Sequence, residues 1–181
     1  MPQARVLAPF HCLLVLTVAT ALVGCSPQFN WRDVQLDASA LRALFPCKPD
    51  RATRPIPLAN GTLAITMLGC EAGDAMFTLA AASVGDPDRA LILQTQWRAA
   101  TLAQVRASNV ATRPASVAAV GKGFAGEPIS VTALGLREGN QAIEFHGVWF
   151  STGTHIYQAA IYAKRAPPEV VSTFFDGLKL Q

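Results

Sequence analysis

Apolar and polar residues alternate along much of the chain beyond residue 30, with the period of two that half-buried β-strands show. This alternation, or a short apolar segment between turn residues, predicts strands at residues 31–36, 41–45, 54–58, 62–68, 75–84, 129–137, 141–150 and 155–163. Residues 110–120 are predicted to be extended, with an interruption at Pro114. Two prolines predict a loop over residues 46–51, and Asn60-Gly61 predicts a hairpin turn. The second half is therefore predicted to be an antiparallel strand meander.

Two helices are predicted where capping residues precede helix-forming segments. Asp86 fits the N-cap of the first helix and Pro87 its first position, and this helix should continue to about residue 107. A short second helix should begin at residues 167–169 and place Phe174 against the sheet, before a last strand at residues 178–180. In the meander, the period of two predicts that Ile143, Phe145 and Trp149 face the core. It also predicts that Glu144 and His146 face away from it.

The N-terminal apolar segment, residues 6–23, follows a single basic residue, Arg5, and ends in Leu22-Val23-Gly24-Cys25. These four residues resemble the lipobox of bacterial lipoprotein signal peptides. The resemblance implies that residues 1–24 are a removed signal peptide, that Cys25 is lipidated, that residues 25–30 are a linker and that residues 31–181 are one globular domain. Ser26 resembles the residue that sorts lipoproteins to the outer membrane, which implies that the domain faces the periplasm from that membrane. A plain signal peptide and an uncleaved membrane anchor are the alternatives.

Cysteine usage agrees with export from the cytoplasm. Cys12 belongs to the predicted signal peptide and Cys25 to the lipid anchor, which leaves Cys47 and Cys70. Because an even pair of cysteines outside the cytoplasm most simply forms a disulfide, we predict a bond between these two residues.

Charge and motif content exclude several classes of protein. Without Arg5, the chain carries 14 Lys and Arg against 12 Asp and Glu, and it has no basic stripe of the kind that nucleic-acid binding requires. Residues 121–126 spell G-x-G-x-x-G, but Pro128 follows where a dinucleotide-binding helix should continue, so we predict a loop and no cofactor. If Thr152-Gly153 is a two-residue turn, Phe150 pairs with His155 and His146 pairs with Ala159. Both histidines then share a sheet face four residues apart, about 13 Å, which is too far for one metal ion.

Three further segments resemble bacterial envelope proteins with a PsbP-like fold. Phe45-Pro46-Cys47-Lys48-Pro49-Asp50 is similar to their "FP-x-KP" opening, and residues 155–162 and 174–180 are similar to their last strand and helix. The resemblance implies an α+β fold in which an antiparallel β-sheet meander is packed between helices, as an α/β/α sandwich. It also implies a non-enzymatic role, since members of the family are usually not enzymes. Cys47 departs from the pattern, because small residues are common at that position.

Two function classes follow from these observations. The first is a lipid-anchored, non-catalytic binding or scaffolding module of the cell envelope, with an envelope protein as its partner. Its partner-binding surfaces are predicted at Trp31 and Arg32 and at the basic loop that contains Lys48, Arg51 and Arg54, because closely spaced cations bind carboxylate or phosphate. The alternative is a small envelope enzyme, hydrolase-like or ligand-processing, whose site the sequence does not reveal.

Overall fold

The computed structural model describes residues 28–36, 41–58, 61–120 and 123–181. The strands are β1 (Arg32–Gln35), β2 (Leu41–Phe45), β3 (Asp50–Leu58), β4 (Gly61–Ala72), β5 (Ala75–Ser83), β6 (Ser108–Pro114), β7 (Ala118–Ala119), β8 (Ile129–Leu136), β9 (Ala142–Thr152), β10 (His155–Ala163) and β11 (Lys179–Leu180). The α-helices are α1 (Pro87–Gln104) and α2 (Pro168–Asp176), and a 3-10 turn spans Glu138–Asn140. The predicted signal peptide, Cys25, the turn residue Asn60 and the start of the G-x-G-x-x-G segment lie outside the described residues.

Seven strands form one large antiparallel sheet in the order β3-β4-β5-β10-β9-β8-β6. The predicted meander of β8, β9 and β10 is confirmed, but its last register is not. His155 pairs with Thr152 rather than with Phe150, and His146 pairs with Ile161 rather than with Ala159. Since the shift is two residues, both histidines still share a face. Their separation along the hairpin grows to six residues, about 20 Å.

Both edges of the large sheet carry features that prevent further strand pairing. Strand β3 contains Pro55 and Pro57, which lack a backbone N–H and are tolerated on an edge. Strand β6 ends at Pro114 and has an irregular register between Ser108 and Ala111. The predicted loop over residues 46–51 is wrong at its end, because β3 begins at Asp50.

Four short strands form a second sheet in the order β1-β2-β11-β7. It covers one face of the large sheet. Strand β2 alternates regularly, with Leu41, Ala43 and Phe45 buried towards that face and the residues between them half-buried. These side chains join Leu180 of β11 and residues of the large sheet in one apolar cluster. The predicted disulfide is confirmed: Cys47, just after β2, is bonded to Cys70 in β4, with 6.1 Å between their Cα atoms. The bond therefore links the two sheets.

Helix α1 covers the other face of the large sheet, and its start is as predicted. The Asp86 carboxylate accepts a hydrogen bond from the Asp88 backbone N–H at 3.0 Å, and Pro87 occupies the first turn. Trp97 is buried against Ile65, Ala80 and Ile156. Further along the same face of the sheet, Phe145 and Trp149 are buried in a second cluster, as predicted.

The expected α/β/α sandwich is wrong. Strands hold 53% of the described residues and helices 21%, so the fold is mostly β, with two sheets. The layer opposite α1 was expected to be helical, but it consists mainly of the second sheet, to which the nine-residue α2 is added. The reason lies in the chain ends, because β11 pairs with both β2 and β7 and so closes a sheet from segments that are distant in sequence. Within the described ranges, neither helix is long and apolar enough to cross a membrane.

Candidate functional site

A groove of about 440 Å³ lies between α2 and the β8–β9 part of the large sheet. It exists because the second sheet and α2 cover only part of this face. The neighbouring edge strand β6 has all seven residues exposed. Strands β8 and β9 supply the floor, α2 supplies one wall, and Ala115 and Ser116 complete the lining.

The floor of the groove carries a row of small polar side chains. Ser130 and Thr132 alternate with buried residues in β8, so both side chains face the groove. Thr132 lies directly opposite His146 of β9, and Ser130 lies opposite Val148. The two hydroxyls have no hydrogen-bond partner among the residues that the structure describes. They are therefore available to a bound molecule.

His146 is the titratable group on the floor. Its side chain is 20% exposed, and its Nε2 lies 4.0 Å from Oε2 of Glu144. Desolvation by burial lowers the pKa of His146 below 6.5, and the nearby Glu144 carboxylate opposes this shift without overcoming it. The lowered pKa favours the neutral form of the ring. Glu144 also accepts a hydrogen bond from the backbone N–H of Ala166 at 3.0 Å, which holds the carboxylate near the start of α2.

The wall of the groove is apolar along α2 and acidic at its end. Val171 and Phe175 line it one helical turn apart, and both pack on the buried core. Phe175 is fixed by an edge-on contact with the ring of Phe174, with centroids 5.2 Å apart. Asp176, the last residue of α2, also lines the groove. Among the described residues its carboxylate has no hydrogen bond or ion pair.

The first predicted partner-binding surface, at Trp31 and Arg32, lies beside the core. Trp31 is half-buried, with its ring centroid 6.0 Å from that of Phe29 and 6.4 Å from that of Phe77. Arg32 is half-buried in β1, and its Nε donates to the backbone oxygen of Asn30 at 3.4 Å. Much of the Trp31 ring therefore serves packing, and the two residues lie outside the groove.

The second predicted surface is not a single loop. Lys48 is exposed in the connection before β3, whereas Arg51 and Arg54 lie in β3 itself. Arg51 is opposite Leu68 and Arg54 is opposite Ile65, and these two apolar residues belong to clusters on opposite faces of the sheet. The structure therefore does not bring the side chains of Arg51 and Arg54 together.

Sequence reasoning missed the groove as a site. The available signal was the polar residues Ser130, Thr132 and His146 at alternating positions in two neighbouring strands, on the face that the period of two assigns away from the α1 core. Their convergence depends on the β8–β9 register and on how little of the sheet α2 covers, and neither is visible in one sequence. Within the described ranges, no group of three or more His, Cys, Asp or Glu residues is arranged to hold a metal ion.

Comparison of the chain with protein-family models finds no match, and comparison with curated proteins finds none either.

Proposed function

We propose that this protein is an exported domain, anchored to the outer membrane by lipid on Cys25, that binds another component of the bacterial cell envelope in the groove beside α2. The observation that carries the binding role is the groove itself. At about 440 Å³, with apolar walls and a few convergent polar groups, it has the size and chemistry of ligand-binding sites in general.

Export is supported by the bond between Cys47 and Cys70. Disulfides persist in oxidising compartments such as the periplasm and are rare in the reducing cytoplasm. The bond ties the residue just after β2 of the small sheet to β4 of the large sheet, which is a structural role that a disulfide can fill outside the cytoplasm. The lipobox-like residues before Cys25 supply the anchor in this proposal.

A binding role rather than a catalytic one is supported by the arrangement of the polar groups. Nucleophilic catalysis needs a hydroxyl or thiol in hydrogen-bond reach of a base. Among the described residues, no hydroxyl or thiol is hydrogen-bonded to His146, whose Nε2 lies 4.0 Å from Oε2 of Glu144. The hydroxyl–histidine contact that the structure does contain joins the neighbours Thr154 and His155 at 3.4 Å in the β9–β10 turn, outside the groove.

Photocrosslinking in intact cells tests this assignment. A benzophenone amino acid replaces Thr132 on the groove floor of the full-length protein. A second version carries it at Arg54, which is also an exposed strand position and belongs to the basic surface predicted from sequence. Light-dependent adducts, identified by mass spectrometry, should form from position 132 and not from position 54. Adducts from position 54 alone would show that the partner binds at β3, and they would contradict the proposal that it binds in the groove.

A further inference from the structure

The charges around the groove favour a positively charged group on a ligand over a negatively charged one. The lining residues include no Lys or Arg, and Asp176 contributes a carboxylate. Glu144 places a second carboxylate beside His146, near the other end of α2. A ligand carboxylate would therefore meet no cation in the lining, and at either end of the groove it would lie near a group of its own charge.

The end of α2 reinforces this preference for positive charge. The C-terminal end of a helix carries a partial negative charge from its free backbone carbonyls, which favours a cation there. The last turn of α2 has no basic residue to supply one and ends instead in Asp176. Asp176 has no partner among the described residues. Its carboxylate and the negative helix end therefore both attract a positively charged group at that end of the groove.

Two cations lie near the groove without lining it. Arg113 of β6 is opposite Ser130 and is exposed, and Arg165 precedes Ala166 and is exposed as well. Neither forms an ion pair with Asp176 or Glu144. The lining itself includes the apolar side chains of Val148, Val171 and Phe175, with the carboxylate of Asp176 at one end.

We propose that the groove binds a small amphipathic amine, whose ammonium group lies at Asp176 and whose apolar body lies on Val148, Val171 and Phe175. This inference rests on the groove being the binding site proposed above, and it adds the chemical class of the ligand. The Thr132 hydroxyl and the ring of His146 then provide hydrogen bonds to any polar group at the far end of the ligand.

Three probes that share one apolar body isolate the head group: cyclohexylmethylamine, cyclohexylmethanol and cyclohexanecarboxylate. Each is titrated at pH 7 into the full chain in lipid nanodiscs, and binding is followed by NMR of ¹³C-labelled valine and threonine methyl groups. Val148, Val171 and Thr132 should shift with the amine and the alcohol. The amine should bind about fivefold more tightly than the alcohol, because one ion pair about 4 Å apart in water contributes that factor to affinity. The carboxylate should bind most weakly of the three.

Asp176→Asn should bring the amine-to-alcohol ratio close to one, while Asp74→Asn, which removes an exposed carboxylate from the β4–β5 turn, should leave it unchanged. Equal or tighter binding of the carboxylate, or a ratio unaffected by Asp176→Asn, would overturn the amine assignment. With the alcohol still bound, the proposed binding role would survive that result. If none of the three probes shifted the groove methyl groups, the groove itself would be lost as a binding site.

Discussion

Phe174 is the residue through which α2 joins the two sheets. Its side chain is fully buried, and its ring meets Phe45 of the small sheet and Phe77 of the large sheet edge-on, with centroids 5.6 Å and 5.3 Å away. Phe174→Ala removes the whole ring from this closely packed position. We expect the free energy of unfolding to fall by about 3–5 kcal/mol, of which each aromatic pair accounts for about 0.5–1.5 kcal/mol.

Urea unfolding of the purified protein, followed by tryptophan fluorescence and circular dichroism, measures this loss. Phe175→Ala is the matched control, because Phe175 is the next residue of the same helix but is only half-buried. The control should cost clearly less, and the slope of free energy against urea should stay the same in both variants. A loss below about 1 kcal/mol for Phe174→Ala would show that α2 is not docked as described. The wall of the groove would then be in doubt as well.

Three further perturbations probe other parts of the fold. Replacing Cys47 and Cys70 together by Ala opens a loop with a sequence separation of 23 and should lower the free energy of unfolding by roughly 3 kcal/mol; unchanged urea midpoints would contradict a stabilising bond. Gln94→Leu should stabilise the protein by about 1 kcal/mol, because the amide oxygen of Gln94 is buried without a partner among the described residues; destabilisation would mean that an internal water satisfies it. Since the folded-state pKa of His146 lies below its ordinary 6.5, the unfolded chain binds the proton more readily. Stability should therefore fall as the pH drops through 6.5, and His146→Gln should show a smaller fall; identical pH profiles would refute this role.

The elements that local chemistry determines were predicted well. The start of α1 follows from Asp86 and Pro87, whose capping and backbone preferences act within one turn. The meander follows from the alternation in β8, β9 and β10, and the disulfide follows from the cysteine count. The first two features depend on residues that are near one another in sequence. The disulfide depends on cysteine, and the predicted exported domain has only two cysteines available to pair.

Features that depend on distant pairing were not predicted. Leu180 lies beside Leu41 and Ala119, and this contact between the chain end and two earlier strands makes a sheet where a helical layer was expected. The β9–β10 register differs by two residues because the turn uses Gly153 and Thr154 rather than Thr152 and Gly153, and both choices keep the same residues facing the core. Arg51 and Arg54 lie in a strand instead of a loop, because the prolines of β3 are compatible with an edge strand as well as with a loop.

The lipid on Cys25 is the premise on which the envelope role depends, and labelling tests it directly. Cells that express the wild type, Cys25→Ser or Cys12→Ser are grown with a radiolabelled fatty acid, and the protein is immunoprecipitated. The wild type and Cys12→Ser should carry the label, and Cys25→Ser should carry none and should remain unprocessed. Equal labelling of Cys25→Ser, or label lost only when Cys12 is replaced, would contradict the proposed anchor.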